Sequence, residues 1–148
     1  MKRVIFGTVL LLASSFMACS GNAQTMENQN DMPPTAMYKT EGGKDYKIEN
    51  GSIIPINNRP MIVDFSATWC PPCRQLKPIF EELKEEYKGK IDMITIDVDE
   101  MQQLSNNYGI QSIPTLIYIN PEGAELSRTV GLRTKDELKA DISQQFNL

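Results

Sequence analysis

The segment 61–98 constrains the fold most strongly, because it has the pattern of a strand, a helix and a second strand. Met61 to Phe65 is a nearly continuous apolar run, which is typical of a strand buried on both faces. The helix that follows has apolar residues three and four positions apart, namely Leu76, Ile79, Phe80, Leu83 and Tyr87. Ile91 to Val98 is the second strand. The two strands are therefore expected to be parallel and joined by a right-handed crossover.

The rest of the carboxyl-terminal half adds a short helix, a strand hairpin and a last helix. The short helix is predicted around Glu100 to Asn107, and Thr115 to Ile119 forms the third strand. The turn sequence Asn120-Pro121-Glu122-Gly123 leads into a fourth strand, Ala124 to Val130. Thr134 to Glu137 has the pattern of a capping box that begins the last helix. This order predicts an α/β fold with a central mixed sheet flanked by helices.

The amino-terminal residues have the pattern of an export signal. Lys2 and Arg3 precede an apolar stretch, Val4 to Ala18, that is short for a membrane-spanning helix of about 20 residues. We predict a signal peptide over 1–23 and a location in the periplasm or cell envelope. A retained membrane anchor is the alternative.

Two processing routes fit this signal. The segment Phe16 to Ser20 resembles a lipoprotein signal, in which Cys19 would carry the lipid, whereas Gly21-Asn22-Ala23 offers a cleavage site. The polar segment 24–40 is predicted to be a flexible tether, and 41–148 to be the folded domain. Within it, the isoleucines on either side of Pro55 are predicted to form an edge strand, where proline is tolerated.

Composition excludes some classes of function. The chain has 41% apolar and 23% charged residues and a formal net charge of −4, which are ordinary values for a soluble domain. No basic cluster occurs beyond Lys2 and Arg3, so nucleic acid is not an expected partner. The sequence contains no G-x-G-x-x-G, P-loop or metal-binding cluster, and no cofactor is expected.

The sequence Trp69-Cys70-Pro71-Pro72-Cys73 lies between the first strand and its helix. Cys70 is therefore expected at the helix N-terminus, where free N–H groups and the helix dipole lower a thiol pKa from about 8.5 towards neutrality. Cys73 lies one turn further on, close enough to form a disulfide with Cys70. We predict that Cys70 is the nucleophile that attacks a substrate disulfide, and that Cys73 resolves the mixed disulfide.

The two prolines suit the start of a helix, where a missing N–H matters little. Since Pro71 and Pro72 cannot donate, the Cys73 N–H is the expected backbone stabiliser of the Cys70 thiolate. Half of a zinc site is one alternative, but the chain has no histidine and no second cysteine pair. An inert structural disulfide is another, although so short a ring constrains little chain entropy.

These residues resemble the thioredoxin family over roughly 60–146. W-C-P-P-C is similar to the family's W-C-G-P-C, with Pro71 in place of glycine. Further matches occur in order along the chain: Val63-Asp64-Phe65, Pro78, Tyr108-Gly109-Ile110, Ile113-Pro114-Thr115 and Val130-Gly131. The resemblance implies a thioredoxin fold and protein-disulfide oxidoreductase activity.

The resemblance also implies roles for individual residues. The Ile113–Pro114 bond is expected to be cis, in a loop that faces the disulfide and binds substrate backbone; an ordinary trans proline is the alternative.

Asp64 lies within an apolar strand, where burial should raise its pKa. The matching aspartate of the family lies behind the second cysteine, which implies that Asp64 accepts the proton of Cys73. A solvent-facing aspartate at a strand edge is the alternative.

The sequence departs from the family beside this aspartate. Thr95 stands where the family often has a lysine, and Ser66 where it often has a tryptophan. The proton path is therefore expected to differ from that of the family or to run through water. Trp69 is expected to form an apolar docking patch for substrate with Ile110 and Ile113. Shielding of the disulfide from water is the other reading of Trp69.

The expected direction is reduction of disulfides in envelope proteins. Strong oxidants of this fold stabilise their thiolate with a histidine between the cysteines, and this chain has none. An oxidant or isomerase of the same fold, or a non-catalytic docking module, are the alternatives. The expected partners are proteins with disulfides and a membrane electron donor or a thioredoxin reductase-like donor, and the chain is expected to be a monomer.

Overall fold

The computed structural model describes residues 35–39 and 45–148. The predicted signal peptide, with Cys19, and most of the predicted tether lie outside these residues. Among the described helices, none has the length and apolar character needed to cross a membrane.

The described residues form seven strands and three helices. In chain order they are β1 (Thr35–Lys39), β2 (Asp45–Glu49), β3 (Ser52–Pro55), β4 (Met61–Ser66), α1 (Pro71–Glu86), β5 (Asp92–Asp97), α2 (Gln102–Asn107), β6 (Thr115–Ile119), β7 (Glu125–Val130) and α3 (Lys135–Phe146).

A four-stranded mixed sheet, in the order β5-β4-β6-β7, positions the cysteine pair. The central strand β4 is parallel to β5, with Asp64 opposite Thr95, and antiparallel to β6. Strands β6 and β7 form the predicted antiparallel hairpin. The strand-helix-strand prediction for 61–98 is therefore confirmed, as is the central mixed sheet flanked by helices.

The sheet is covered on both faces, which explains the unbroken apolar run in β4. One face packs against α1 and α3; this α1/α3 core contains Ile62, Leu76, Phe80, Leu83, Leu116, Tyr118, Leu138 and Ile142. The opposite face, here called the α2 core, contains Met61, Val63, Phe65, Ile94, Ile96, Leu104, Ile117 and Ile119. Alternate residues of β4 thus enter different cores, and Asp64 shares the α1/α3 face with Ile62.

A second, three-stranded antiparallel sheet, β1-β2-β3, packs on the α2 core. Its buried side chains include Tyr46 and Ile48 of β2 and Ile53 of β3. Asn50 and Gly51 connect β2 to β3 with φ values of 51° and 75°, the left-handed region that tight hairpin turns require. The predicted strand around Pro55 is present as β3, at one edge of this sheet.

Strand β1 differs from the prediction for its segment. It falls within 24–40, which we predicted to be a flexible tether. The five backbone positions of β1 pair with β2, from Thr35 opposite Glu49 to Lys39 opposite Asp45. Pairing with a partner strand supplies the backbone hydrogen bonds that local composition alone did not indicate.

A buried ion pair fixes the start of β5 beside the chain that enters β4. Asp92 is fully buried and accepts hydrogen bonds from Arg59 Nη2 at 3.0 Å and from Asn57 Nδ2 at 3.1 Å. Its own backbone N–H donates to Pro60 O at 2.9 Å. The sequence analysis did not identify this cluster.

Candidate active site

The connection from β4 to α1 places Cys70 at the helix N-terminus, as predicted. Cys70 is the N-cap residue, followed by Pro71 and Pro72 in the first turn, where a missing N–H breaks no helical hydrogen bond. The Cys73 N–H points at Cys70 Sγ, with N and S 3.3 Å apart. The geometry therefore offers the one backbone donor that the two prolines leave for a Cys70 thiolate.

Cys70 and Cys73 are joined in a disulfide. Their Cα atoms are 5.3 Å apart, and the two residues are 3% and 2% exposed. The structure therefore bears out the predicted pairing of the two sulfurs and gives no support to the zinc alternative. Within the described part of the chain, no three metal-ligating side chains come together.

The loop before β6 faces this disulfide. The Ile113–Pro114 bond is cis, as the resemblance implied, and Ile113 O lies 3.8 Å from Cys70 Sγ. Pro114 O accepts a hydrogen bond from Gly131 N–H at 2.8 Å, and Ser112 O accepts one from Thr115 Oγ1 at 2.7 Å. The loop is thus held to the sheet on both sides of Ile113.

Asp64 is buried on the side of the sheet that carries α1. It is 3% exposed, and its Oδ1 accepts no hydrogen bond from the part of the chain that is described. Burial raises the pKa of this carboxyl from 3.8 to about 7, and the negative charge of Glu81 adds to the effect. The alternative of a solvent-facing strand-edge aspartate is therefore wrong. Thr95, in place of the family lysine, lies directly opposite and is exposed.

Trp69 forms one wall of a groove beside the disulfide. Its side chain is 61% exposed, and its indole N–H donates to Asp99 Oδ2 at 2.6 Å. The groove has a volume of about 380 Å³ and contains all three residues of the predicted docking patch. The rest of the lining consists of apolar Val98 and five polar residues, namely Gln102, Ser105, Asn106, Gln111 and Ser112.

Several residues around the site were missed by the sequence analysis. Asp99 follows β5 at the sheet edge where β4 also ends, and that shared edge is a signal that could have paired it with Trp69. Val130 and Leu132, which are 60% and 44% exposed, flank the Gly131 that holds Pro114.

A disulfide across the first turn of a helix, capped by a backbone N–H and faced by a cis-proline loop, defines a thiol–disulfide exchange site. The profile of the family described as Thioredoxin matches residues 45–144. The thioredoxin of Borreliella burgdorferi is 46% identical over 89 residues, which cover 60% of this chain and 75% of that protein. The thioredoxin of Staphylococcus aureus is 38% identical over 99 residues, covering 67% and 86%.

A solved structure of a thioredoxin is also similar to this chain. The crystal structure of thioredoxin NaTrxh from Nicotiana alata aligns with a TM-score of 0.55 and 36% identity, over 60% of this chain and 74% of that one. This chain belongs to the thioredoxin family and is a thiol–disulfide oxidoreductase with a Cys70–Cys73 pair.

Proposed function

We propose that this protein reduces disulfide bonds of proteins in the cell envelope. The observation that carries the proposal is the Cys70–Cys73 disulfide at the N-terminus of α1, with a backbone donor aimed at Cys70. Such a dithiol passes two electrons to a substrate disulfide and is itself oxidised to the disulfide. No other redox group is required.

In the first step, the Cys70 thiolate attacks one sulfur of the substrate disulfide. The substrate S–S bond breaks, a Cys70–substrate mixed disulfide forms, and the released substrate sulfur takes a proton from water. The Cys73 N–H and the N-terminus of α1 lie where they can stabilise the attacking thiolate.

In the second step, Cys73 loses its proton and attacks the Cys70 sulfur. The mixed disulfide breaks, the Cys70–Cys73 disulfide forms, and the second substrate sulfur leaves as a thiolate. We assign Asp64 as the proton acceptor. A buried carboxyl with a pKa of about 7 is suited to this task, since a base works best when its pKa is near the working pH.

Substrate binding is assigned to Trp69, Ile113 and Pro114. The peptide of Ile113 is next to Cys70 Sγ, so a substrate chain lying along this loop would bring its disulfide to the nucleophile. The groove behind Trp69 has room for the adjoining stretch of chain. Pro71 and Pro72 shape the active-site loop between the two sulfurs.

Location and electron supply form the second part of the proposal. The signal pattern over 1–23 supports export to the periplasm or envelope, with Cys19 lipidated or removed. Outside the cytoplasm, electrons must reach Cys70–Cys73 from a membrane electron donor or a thioredoxin reductase-like donor. We propose that the chain acts as a monomer on proteins with disulfides.

Mass spectrometry of the mature amino terminus, with a Cys19→Ala variant as control, tests the export step: an intact Met1 would contradict it.

Insulin reduction with dithiothreitol as the electron source tests the catalytic proposal. The wild-type protein should accelerate reduction, and Cys70→Ser should lose the acceleration entirely. Cys73→Ser should instead accumulate a mixed disulfide with its substrate, visible on a non-reducing gel. A Cys70→Ser variant that keeps full function would favour a docking module and contradict the assignment.

The reduction potential tests the direction. A reductase should equilibrate with glutathione buffers only at strongly reducing ratios. A potential close to that of the strong periplasmic oxidants would favour the oxidant alternative over the reductase.

A further inference from the structure

We propose that the Thr115 hydroxyl is a positioning group that fixes the Ile113 peptide in front of Cys70 for binding substrate backbone. In this proposal Thr115 acts through the loop that precedes it, by its hydrogen bond to Ser112 O. The inference rests on the proposed function, because it concerns how protein substrates, as distinct from small disulfides, are recognised.

Two hydrogen bonds hold the loop, one on each side of Ile113. Thr115 Oγ1 donates to Ser112 O at 2.7 Å, and Gly131 N–H donates to Pro114 O at 2.8 Å. With both flanking carbonyls tied down, the Ile113 carbonyl is the one left next to Cys70 Sγ, at 3.8 Å.

Thr115 has a rigid base from which to hold the loop. It is the first residue of β6 and is 3% exposed. Its backbone lies between Phe65 of the central strand and Val130 of β7. The hydroxyl therefore projects from a backbone that is paired with a neighbouring strand on each side.

Ser112 as a whole residue is exposed. We therefore expect water to bind its carbonyl in place of the hydroxyl when Thr115 is substituted. The hydrogen bond therefore chiefly fixes the orientation of the Ser112–Ile113 peptide. Without it, we expect this peptide to turn outwards. Loss of direction should weaken the binding of an extended substrate chain while leaving the sulfur chemistry unchanged.

The test compares three substitutions at this position. Thr115→Val keeps the shape and removes the hydroxyl; Thr115→Ala removes the hydroxyl and adds no new methyl group next to Ser112 O. Thr115→Ser keeps the hydroxyl and serves as the matched control. Circular dichroism and thermal melting verify the fold, and each protein is assayed with insulin and with 2-hydroxyethyl disulfide, which has no peptide backbone.

We expect Thr115→Val and Thr115→Ala to lower kcat/KM for insulin about tenfold, mainly through a higher KM. Activity on 2-hydroxyethyl disulfide should stay within twofold of the wild type, and the reduction potential should not change. Thr115→Ser should match the wild type in all three measurements. Equal losses on both disulfides, an unaffected Thr115→Val, or an equally impaired Thr115→Ser would each overturn the inference. Failure of the wild type to reduce insulin would instead overturn the proposed function.

Discussion

Two buried aspartates on neighbouring strands have opposite surroundings. Asp92, at the start of β5, is held by Arg59 and Asn57. Asp64, in the middle of β4, has an Oδ1 that accepts no hydrogen bond within the described chain, and its pKa is raised to about 7. Both are almost completely buried, at 0% and 3% exposure.

The difference is the one expected between a structural carboxylate and the proton acceptor proposed above. A buried charge with a cation and hydrogen-bond donors is compatible with a stable core, and removing one partner is costly. A buried carboxyl without a cation destabilises the fold when it ionises, so it holds its proton until the pH is near neutral. That energetic penalty is useful only where a proton must be accepted and released, and Asp64 shares its face of the sheet with the helix that carries Cys73.

The largest expected effect is that Asp64→Asn stabilises the protein. Since Asp64 keeps its proton to higher pH in the folded chain than in the unfolded one, wild-type stability should fall as pH rises from about 4 to about 7 and then level off. Above that range Asp64→Asn should unfold with roughly 2 to 4 kcal/mol more free energy. Urea unfolding at a series of pH values measures this.

The two proteins should converge below pH 4, where Asp64 is protonated in both folded and unfolded chains. A variant that is less stable than the wild type at pH 8 would show that Asp64 is a satisfied structural residue like Asp92.

Asp92→Ala should lower the free energy of unfolding, whereas Asp64→Asn raises it. Removing the carboxylate leaves Arg59 and Asn57 without their buried acceptor, and because Arg59 is partly exposed to water we expect a loss of roughly 1 to 3 kcal/mol in unfolding free energy. Insulin reduction by the folded fraction should not change. Glu85→Ala is the control, because its exposed ion pair with Lys88 should contribute almost nothing to stability. A loss of activity greater than the loss of folded protein would contradict a purely structural role of Asp92.

Asp64→Asn should also slow resolution of the mixed disulfide about tenfold at pH 7, because Cys73 loses its proton acceptor. Acid quenching of the reaction with a peptide disulfide, followed by mass spectrometry, counts the mixed disulfide directly. Asp92→Asn is the matched control and should resolve at the wild-type rate. Equal rates in wild type and Asp64→Asn would leave Asp64 without the assigned role.

The smallest effect is expected at Thr95, opposite Asp64 in the register of β4 and β5. Thr95→Lys places a cation on the same face and should lower the Asp64 pKa by about half a pH unit, since an exposed ammonium is largely screened by water. Titration of the Asp64 carboxyl carbon by NMR measures it, with Thr95→Gln as the uncharged control. A pKa unmoved by lysine would mean that Asp64 is isolated from this side of the sheet.

Most of the four-stranded sheet and its helices were predictable from local pattern. The apolar run of β4, the stripe of α1 and the capping box of α3 are short-range signals, and the capping box is present with both of its hydrogen bonds. The burial of Asp64 also followed from its neighbours in sequence. These features need no knowledge of distant contacts.

The features that the sequence analysis did not predict depend on contacts between residues that are distant in the sequence. Tyr46 and Ile48 alternate before Asn50-Gly51 in a way typical of a hairpin, yet their burial results from packing on the α2 core. Arg59 and Asp92 are far apart in sequence and meet only once β4 and β5 are adjacent. The Asp99 contact of Trp69 likewise requires two strand ends to lie side by side.

The position of Trp69 has a practical consequence. It is the chain's one tryptophan, it precedes Cys70 directly, and it is largely exposed. Because a disulfide quenches indole emission at short range, the intrinsic fluorescence of the unlabelled protein should rise when the sulfurs are reduced. Such a rise would give the unlabelled protein an optical reporter with which electron flow from any donor can be followed in real time.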